Sequence, residues 1–226
     1  MGYGLLLVLL GVTLTFGGLG KGGWWLLAVW LGCNFLVLGV AHLRGAHRVF
    51  GKRPNGTLPI WSWCFYLPFL IYSWLIWRAL RLCREPAQSK VSEHLAIGRR
   101  LLPFELAHEF ENFVDLTAEF QEPSACRRQP SYISFPILDG AAPSPEMLRT
   151  AIANLRPGRT FIHCAQGHGR TGLFALALLL ASKKAETVDI GLRMLQAVRP
   201  RVHLNRAQRK CIAAFAKGLA RGCEAE

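Results

Sequence analysis

No acidic side chain precedes Glu85, and the stretch ahead of it carries three apolar runs, Leu5 to Leu19, Gly22 to Ala41 and Leu58 to Trp77. About 20 consecutive apolar residues are what a helix needs to cross a bilayer, so the second and third runs are of spanning length and the first is short. Two such runs back to back in a chain of 226 residues leave too little other protein to cover them as core helices. All seven Trp lie at or before Trp77, the placement expected of amphipathic rings at a membrane interface. A cleaved leader is disfavoured, because no Lys or Arg precedes the first run and no small-residue cleavage pattern precedes Trp24.

Basic residues conflict over orientation. Arg44, Arg48, Lys52 and Arg53 lie ahead of the third run, and Arg78, Arg81 and Arg84 follow it, so both of its flanks ask to be cytoplasmic. A single crossing cannot satisfy both. The third run also holds Pro59, Pro68 and a high density of aromatic rings, which suits an interfacial or re-entrant segment. The reading adopted is a hairpin of the first two runs, with the third shallow or re-entrant on the cytoplasmic side, against three full crossings. Residues 1–84 are thus expected to anchor, and residues 85–226 to form one cytoplasmic domain. Asn55-Gly56-Thr57 has the form of a glycosylation acceptor but lies too near the membrane to weigh.

Seven Cys with no CxxC pair argue against a zinc site and against a disulfide framework, and so for a reducing compartment. Cys83, beside Arg81 and Arg84, is read as a plain membrane-proximal thiol, with acylation the alternative. The net charge of +13 is accounted for by orientation and anionic head groups. No stripe of interleaved basic and aromatic residues supports nucleic acid.

From Pro86 the composition becomes that of an ordinary globular domain. Ala96-Ile97 and Phe113-Val114 read as short strands with a helix over Phe104 to Phe110 between them, and Tyr132 to Ile137 reads as a further strand ending at Asp139-Gly140. Ser144-Pro145-Glu146 has the form of a helix start, running to about Leu155. Thr160 to His163 is a buried strand, Gly172 to Ala181 a buried helix, and Val188 to Val198 and Arg206 to Leu219 are amphipathic helices. The order implies an α/β fold, a mixed sheet with helices on both faces.

The chemistry concentrates in Thr160-Phe161-Ile162-His163-Cys164-Ala165-Gln166-Gly167-His168-Gly169-Arg170-Thr171-Gly172. A strand delivers Cys164, and a short loop leads into a helix that Arg170 opens. Amides wound inward over Ala165 to Gly169, together with a helix N-terminus, form a nest for a tetrahedral oxyanion, and the same field favours thiolate over thiol. Arg170 adds a planar fork that can hold two phosphoryl oxygens.

His163-Cys164-x5-Arg170-Thr171 resembles the signature of the cysteine-dependent protein-tyrosine and dual-specificity phosphatases, and the likeness extends from about Glu93 to Leu219, with the Asn205 and Gln208 region included. Gly98-Arg99-Arg100, Asp115 to Phe120 and Pro136 to Asp139, preceded by membrane segments, resemble a bacterial membrane-bound branch of the dual-specificity group. The resemblance implies Cys164 as a nucleophile that becomes phosphocysteine, and Arg170 as the phosphate ligand. It implies Thr171 as a donor to the sulfur and His163 as the residue orienting the loop. Asp139 would be the general acid, the other reading being a turn residue of Asp-Gly. Asp115 and Glu119, flanking a strand end, are read as structural.

No metal or cofactor is implied, and the expected partner is a phosphorylated protein or a lipid substrate at the membrane. The short domain and the absence of Trp near Asp139 point to a shallow site. Gly169-Arg170-Thr171-Gly172 also resembles a phosphoinositide phosphatase, which has Lys where Ala165 and His168 stand here; His168 would restore one charge only when protonated, near pH 6–7. The sequence therefore carries a phosphoprotein phosphatase reading, a lipid phosphatase alternative and, as a third, a silent phosphate-binding module.

Overall fold

The computed structural model describes residues 2–82, 85–106 and 109–223. Helix α1 (Gly2–Gly18) and helix α2 (Trp25–Arg44) form an antiparallel hairpin. Their backbones touch through glycine: a Cβ on Gly11 would stand 2.8 Å from the Gly32 carbonyl, and one on Gly32 would stand 2.7 Å from the Thr15 amide. Small residues at such contacts let two apolar helices bind by close packing where no hydrophobic drive separates them from lipid. The αL glycine Gly45 ends α2.

The third apolar run is one continuous helix, α3 (Ile60–Leu80), passing through Pro68 without turning back, so a re-entrant loop is not its shape. Trp30 Nε1 and Asn34 Nδ2 of α2 both donate to the Phe65 carbonyl, in the turn ahead of Pro68. Both ends of α3 rest on the following domain. Ahead of it, the Leu58 amide donates to Gln121 Oε1 (3.2 Å); after it, Arg81 Nη1 donates to the Arg100 carbonyl (3.2 Å). Near that end Trp77 packs on Phe120, and the guanidiniums of Arg81 and Arg100 lie 4.8 and 4.9 Å from its ring centre. The helix therefore lies along the domain instead of projecting from it. Its middle joins Leu38, Phe50, Leu58, Ala118 and Leu138 in one apolar cluster.

The domain is a five-stranded mixed sheet in the order β1-β2-β5-β3-β4. Strand β1 (Gln88–Lys90) is antiparallel to β2 (Leu95–Arg99); β2, β5 (Thr160–Cys164), β3 (Asn112–Thr117) and β4 (Tyr132–Ile137) are parallel. Every residue of β3 and β5 is buried, as parallel strands covered on both faces require. Helix α4 (Ser124–Arg127) is a single turn; α5 (Pro145–Ala153), α6 (Gly169–Ala181), α7 (Val188–Val198) and α8 (Arg206–Cys223) are longer. Ser144 caps α5 through the Met147 amide and Thr187 caps α7 through the Ile190 amide.

The four parallel strands and the four later helices stand where the patterning places them, and the edge strand β1 was not expected. The helix expected over Phe104 to Phe110 is instead a single 3-10 turn, Pro103–Glu105, with residues 107–108 outside those described. Glu105 accounts for the difference. Its carboxylate accepts from the Leu102 amide and pairs with Arg81 and Arg99, fixing the turn from its side chain instead of by helical propagation. Cys83 lies outside the described residues, and Cys33, Cys64, Cys126, Cys164 and Cys211 are free thiols.

Candidate active site

Register places Cys164. Gly98 pairs with His163 and Arg99 with Cys164, so the carboxyl ends of β2 and β5 open together where the loop begins, the usual position of a ligand crevice in such sheets. The Arg100 amide donates to the Ala165 carbonyl (3.3 Å), and the Gly167 amide turns in to Cys164 Sγ at 3.2 Å. Gly167 sits at φ 78°, against the Gly98 carbonyl, where a side chain would collide. The amide of Gly172 donates to the His168 carbonyl (2.8 Å), starting α6 beneath the loop.

Arg170 is buried and held by two carboxylates. Its two terminal amines meet Glu119 Oε1 and Oε2 at 2.9 Å each, the Ile137 carbonyl accepts at 3.0 Å, and Asp139 Oδ1 lies at 3.2 Å. Burial opposes its charge, but Glu119 and Asp139 outweigh burial and raise its pKa further. Asp139 itself is exposed, on a loop pinned from three sides. Asn205 Nδ2 donates to the Gly140 carbonyl (2.8 Å), Gln208 Nε2 to the Ala141 carbonyl (3.3 Å), and the His42 ring of α2 bridges the carbonyls of Leu38 and Asp139 at 3.0 Å each.

The loop's other face rests on Arg199. This buried guanidinium donates to the carbonyls of Gln166 and Pro86 (2.9 Å each) and to Ser89 Oγ (3.3 Å). Glu85 lies 3.4 Å from Arg199 and 2.8 Å from His168 Nε2. Burial lowers the His168 pKa, with Glu85 opposing, so the charge expected of His168 near pH 6–7 is not favoured.

Behind Cys164 is a buried polar group set. Asp115 of β3 accepts from Lys52 and from the Tyr132 hydroxyl, and Lys52 Nζ also donates to the Thr117 carbonyl (2.7 Å) and hydroxyl (2.9 Å). Burial alone would raise the Asp115 carboxyl, but Lys52 and His163 bring it down to about 2. His163 Nε2 lies 4.0 Å from Asp115 Oδ1, and burial pushes this imidazole down to about 4, leaving it neutral. Asp115, Glu122 and His163 converge closely enough to hold a cation, yet Lys52 and Arg100 already supply positive charge there.

Cys164, Arg170, Asp139 and the loop from Ala165 to Gly169 are thus gathered into one cleft. One implied contact is not made: the Thr171 hydroxyl is buried without a hydrogen-bond partner. Glu119, read from the sequence as structural, is the direct partner of Arg170. Arg199, Glu85 and Lys52 were missed, since each acts across long sequence separations that no local pattern marks. The cleft, of about 420 Å³, is walled on one side by residues of α1, α2, α3 and the segment between α2 and α3, so one wall comes from outside the sheet domain.

No family model matches the sequence, and no curated protein matches it. Solved structures do. The active form of Tk-PTP superposes with a TM-score of 0.53 at 23% identity, over 58% of this chain and 97% of its own. Human DUSP28 gives 0.51 at 15%, over 60% and 97%. PTPMT1 in complex with PI(5)P gives 0.53 at 10%, over 61% and 99%. Beyond its apolar helices, this chain therefore has the fold of the protein-tyrosine and dual-specificity phosphatases.

Proposed function

We propose that the chain is a membrane-anchored phosphatase that hydrolyses phosphomonoesters through a covalent phosphocysteine, without a metal. The observation that carries this is the convergence of Cys164, Arg170 and Asp139 on one cleft, with the Gly167 amide on the sulfur and Asp139 Oδ1 3.2 Å from Arg170. An arriving phosphate takes over the Arg170 edge that Asp139 holds, freeing that carboxyl. Cys164 thiolate then attacks phosphorus, the ester P–O bond breaks, and Asp139 gives its proton to the leaving oxygen. In the second half a water attacks phosphorus, Asp139 takes that water's proton, and the P–S bond breaks to release phosphate and thiolate. Arg170 and the loop amides stabilise the equatorial oxygens throughout.

Anchoring follows the same reading. The α1–α2 hairpin enters the bilayer, α3 lies in the interface, and the basic loop between α2 and α3 keeps the catalytic domain in the cytoplasm. Helices α2 and α3 are both long and apolar enough to cross, but α3 rests on the domain at both ends, which favours the in-plane position.

Cys164→Ser in the full chain tests the reaction. Turnover of para-nitrophenyl phosphate in the presence of a chelator should vanish, while vanadate binding by the loop persists. Appreciable activity in that variant would exclude the phosphocysteine. A phosphorylated side chain and a lipid head group offer the same phosphomonoester, and relatives by fold include PTPMT1, crystallised with PI(5)P.

A further inference from the structure

The wall facing the catalytic loop is built from the apolar helices. The cleft that contains Cys164 and Arg170 runs on, without interruption, past Trp77 and Phe120 to Leu38, Phe69, Ile76 and Leu80. We infer that this cleft binds an amphiphile, a lipid ending in a single phosphomonoester, with the phosphate at Cys164 and an acyl chain laid between α3 and the α1–α2 end. The inference rests on the phosphatase reading above and names its substrate.

Four observations carry it. First, a phosphopeptide needs partners for its own amides and carbonyls, but the helix-derived wall is mostly hydrocarbon, its polar side chains being His42 of α2, already held against the Leu38 and Asp139 carbonyls, and Tyr72 and Ser73 of α3. Second, that wall leads to a surface suited to lipid. Large apolar side chains stand exposed over all three helices, among them Leu6, Phe16, Trp24, Ile60 and Trp61, so a chain in the groove need not cross water to reach the bilayer. Third, the sheet domain brings Leu138 and Phe120 to the same cleft as Asp139 and Glu119, so polar and apolar lining meet beside the phosphate site. Fourth, cations are few. Arg170 is the charge at the nucleophile, Ala165 offers none, and His168 is engaged by Glu85. One phosphate is matched, and a head group with several is not.

The test uses the full chain in phosphatidylcholine nanodiscs, with soluble probes below their aggregation limit. Glycerol 3-phosphate, dihexanoyl phosphatidic acid, a phosphotyrosine peptide and para-nitrophenyl phosphate are compared by kcat/KM. The first two are also compared by equilibrium binding to Cys164→Ser. Each apolar carbon buried is worth roughly fourfold in affinity, so the lipid should bind and react about 100-fold better than glycerol 3-phosphate. Ile76→Trp, which fills the groove, and Ile76→Asp, which charges it, should each cut the ratio of lipid to aryl phosphate turnover at least tenfold. Equal binding of glycerol 3-phosphate and the lipid, or a phosphopeptide outpacing the lipid, would overturn the groove even with aryl phosphate turned over normally. Tight lipid binding without turnover of any probe would instead retain the groove and sink the phosphatase reading.

Discussion

Lys52, in the loop between α2 and α3, and Asp115, on the strand β3 beside β5, form an ion pair in which both side chains are almost completely buried, at 1% and 0% exposure. The segment ahead of the sheet domain thus supplies a charge inside that domain. Removing one partner of such a pair leaves the other uncompensated, a loss of about 3–5 kcal/mol. Lys52→Met should therefore lower the thermal midpoint sharply, and Lys52→Met with Asp115→Asn should recover part of the loss. Equal stability of Lys52→Met and wild type would show that Asp115 is compensated elsewhere.

The same pair predicts that residues 85–226 expressed alone fold poorly, since Asp115 then lacks its cation and the apolar cluster around Ala118 and Leu138 lacks Leu38 and Phe50. Chemical denaturation of the fragment beside the full chain would measure this. A fragment as stable as the whole would make the loop an accessory.

In the proposed reaction Glu119 positions Arg170. It grips both amines of Arg170, so Glu119→Gln should let the guanidinium swing and lower kcat by about 10²-fold, with a smaller change in KM. A purely structural role would instead lower stability and leave kcat per folded molecule unaltered. Circular dichroism with active-site titration separates the two.

Asp139→Asn should reduce the rate by ~10²–10⁴ on alkyl phosphates and far less on para-nitrophenyl phosphate, because an acid matters in proportion to the basicity of the oxygen it protonates. Equal losses on both would move the acid to another residue.

Burial holds the His163 imidazole near 4, against 6.5 for an exposed histidine. Between those values the unfolded chain binds a proton that the folded chain refuses, so acid favours unfolding. This contribution is complete above about pH 6.5 and lost as pH falls toward 4. The Asp115 carboxyl, lowered to about 2 from 3.8, acts only in a more acid range. His163→Asn should therefore flatten the fall in melting temperature between pH 6.5 and 5, and an unaltered slope would place the protonation elsewhere.

What the sequence reveals follows from how local each cause is. The string from Thr160 to Gly172 is legible because strand, turn glycines and helix start are contiguous, so chemistry and conformation share one stretch. The buried strands and the helices after Ser144 are legible through periodicity and caps. The turn at Pro103–Glu105 reads as a helix because Glu105 is a good helix former; its distant partner Arg81 is decisive and invisible locally. Lys52 and Arg199 are harder still. Each lies in a basic stretch that orientation or solvation explains well enough, and only the folded chain shows them as interior cations. The seven-residue spacing of Gly4, Gly11 and Gly18 was open to reading and would have indicated the hairpin contact.

Because α3 is fastened to the sheet domain at both of its ends, the proposed anchor has no slack. In the proposed arrangement the mouth keeps a constant height and tilt relative to the lipid surface, and its supply of substrate is counted per unit area. Diluting a phosphorylated lipid with inert lipid, at unchanged bulk concentration, would then slow the reaction in proportion, whereas a domain on a long flexible stalk would also sample the surrounding solution.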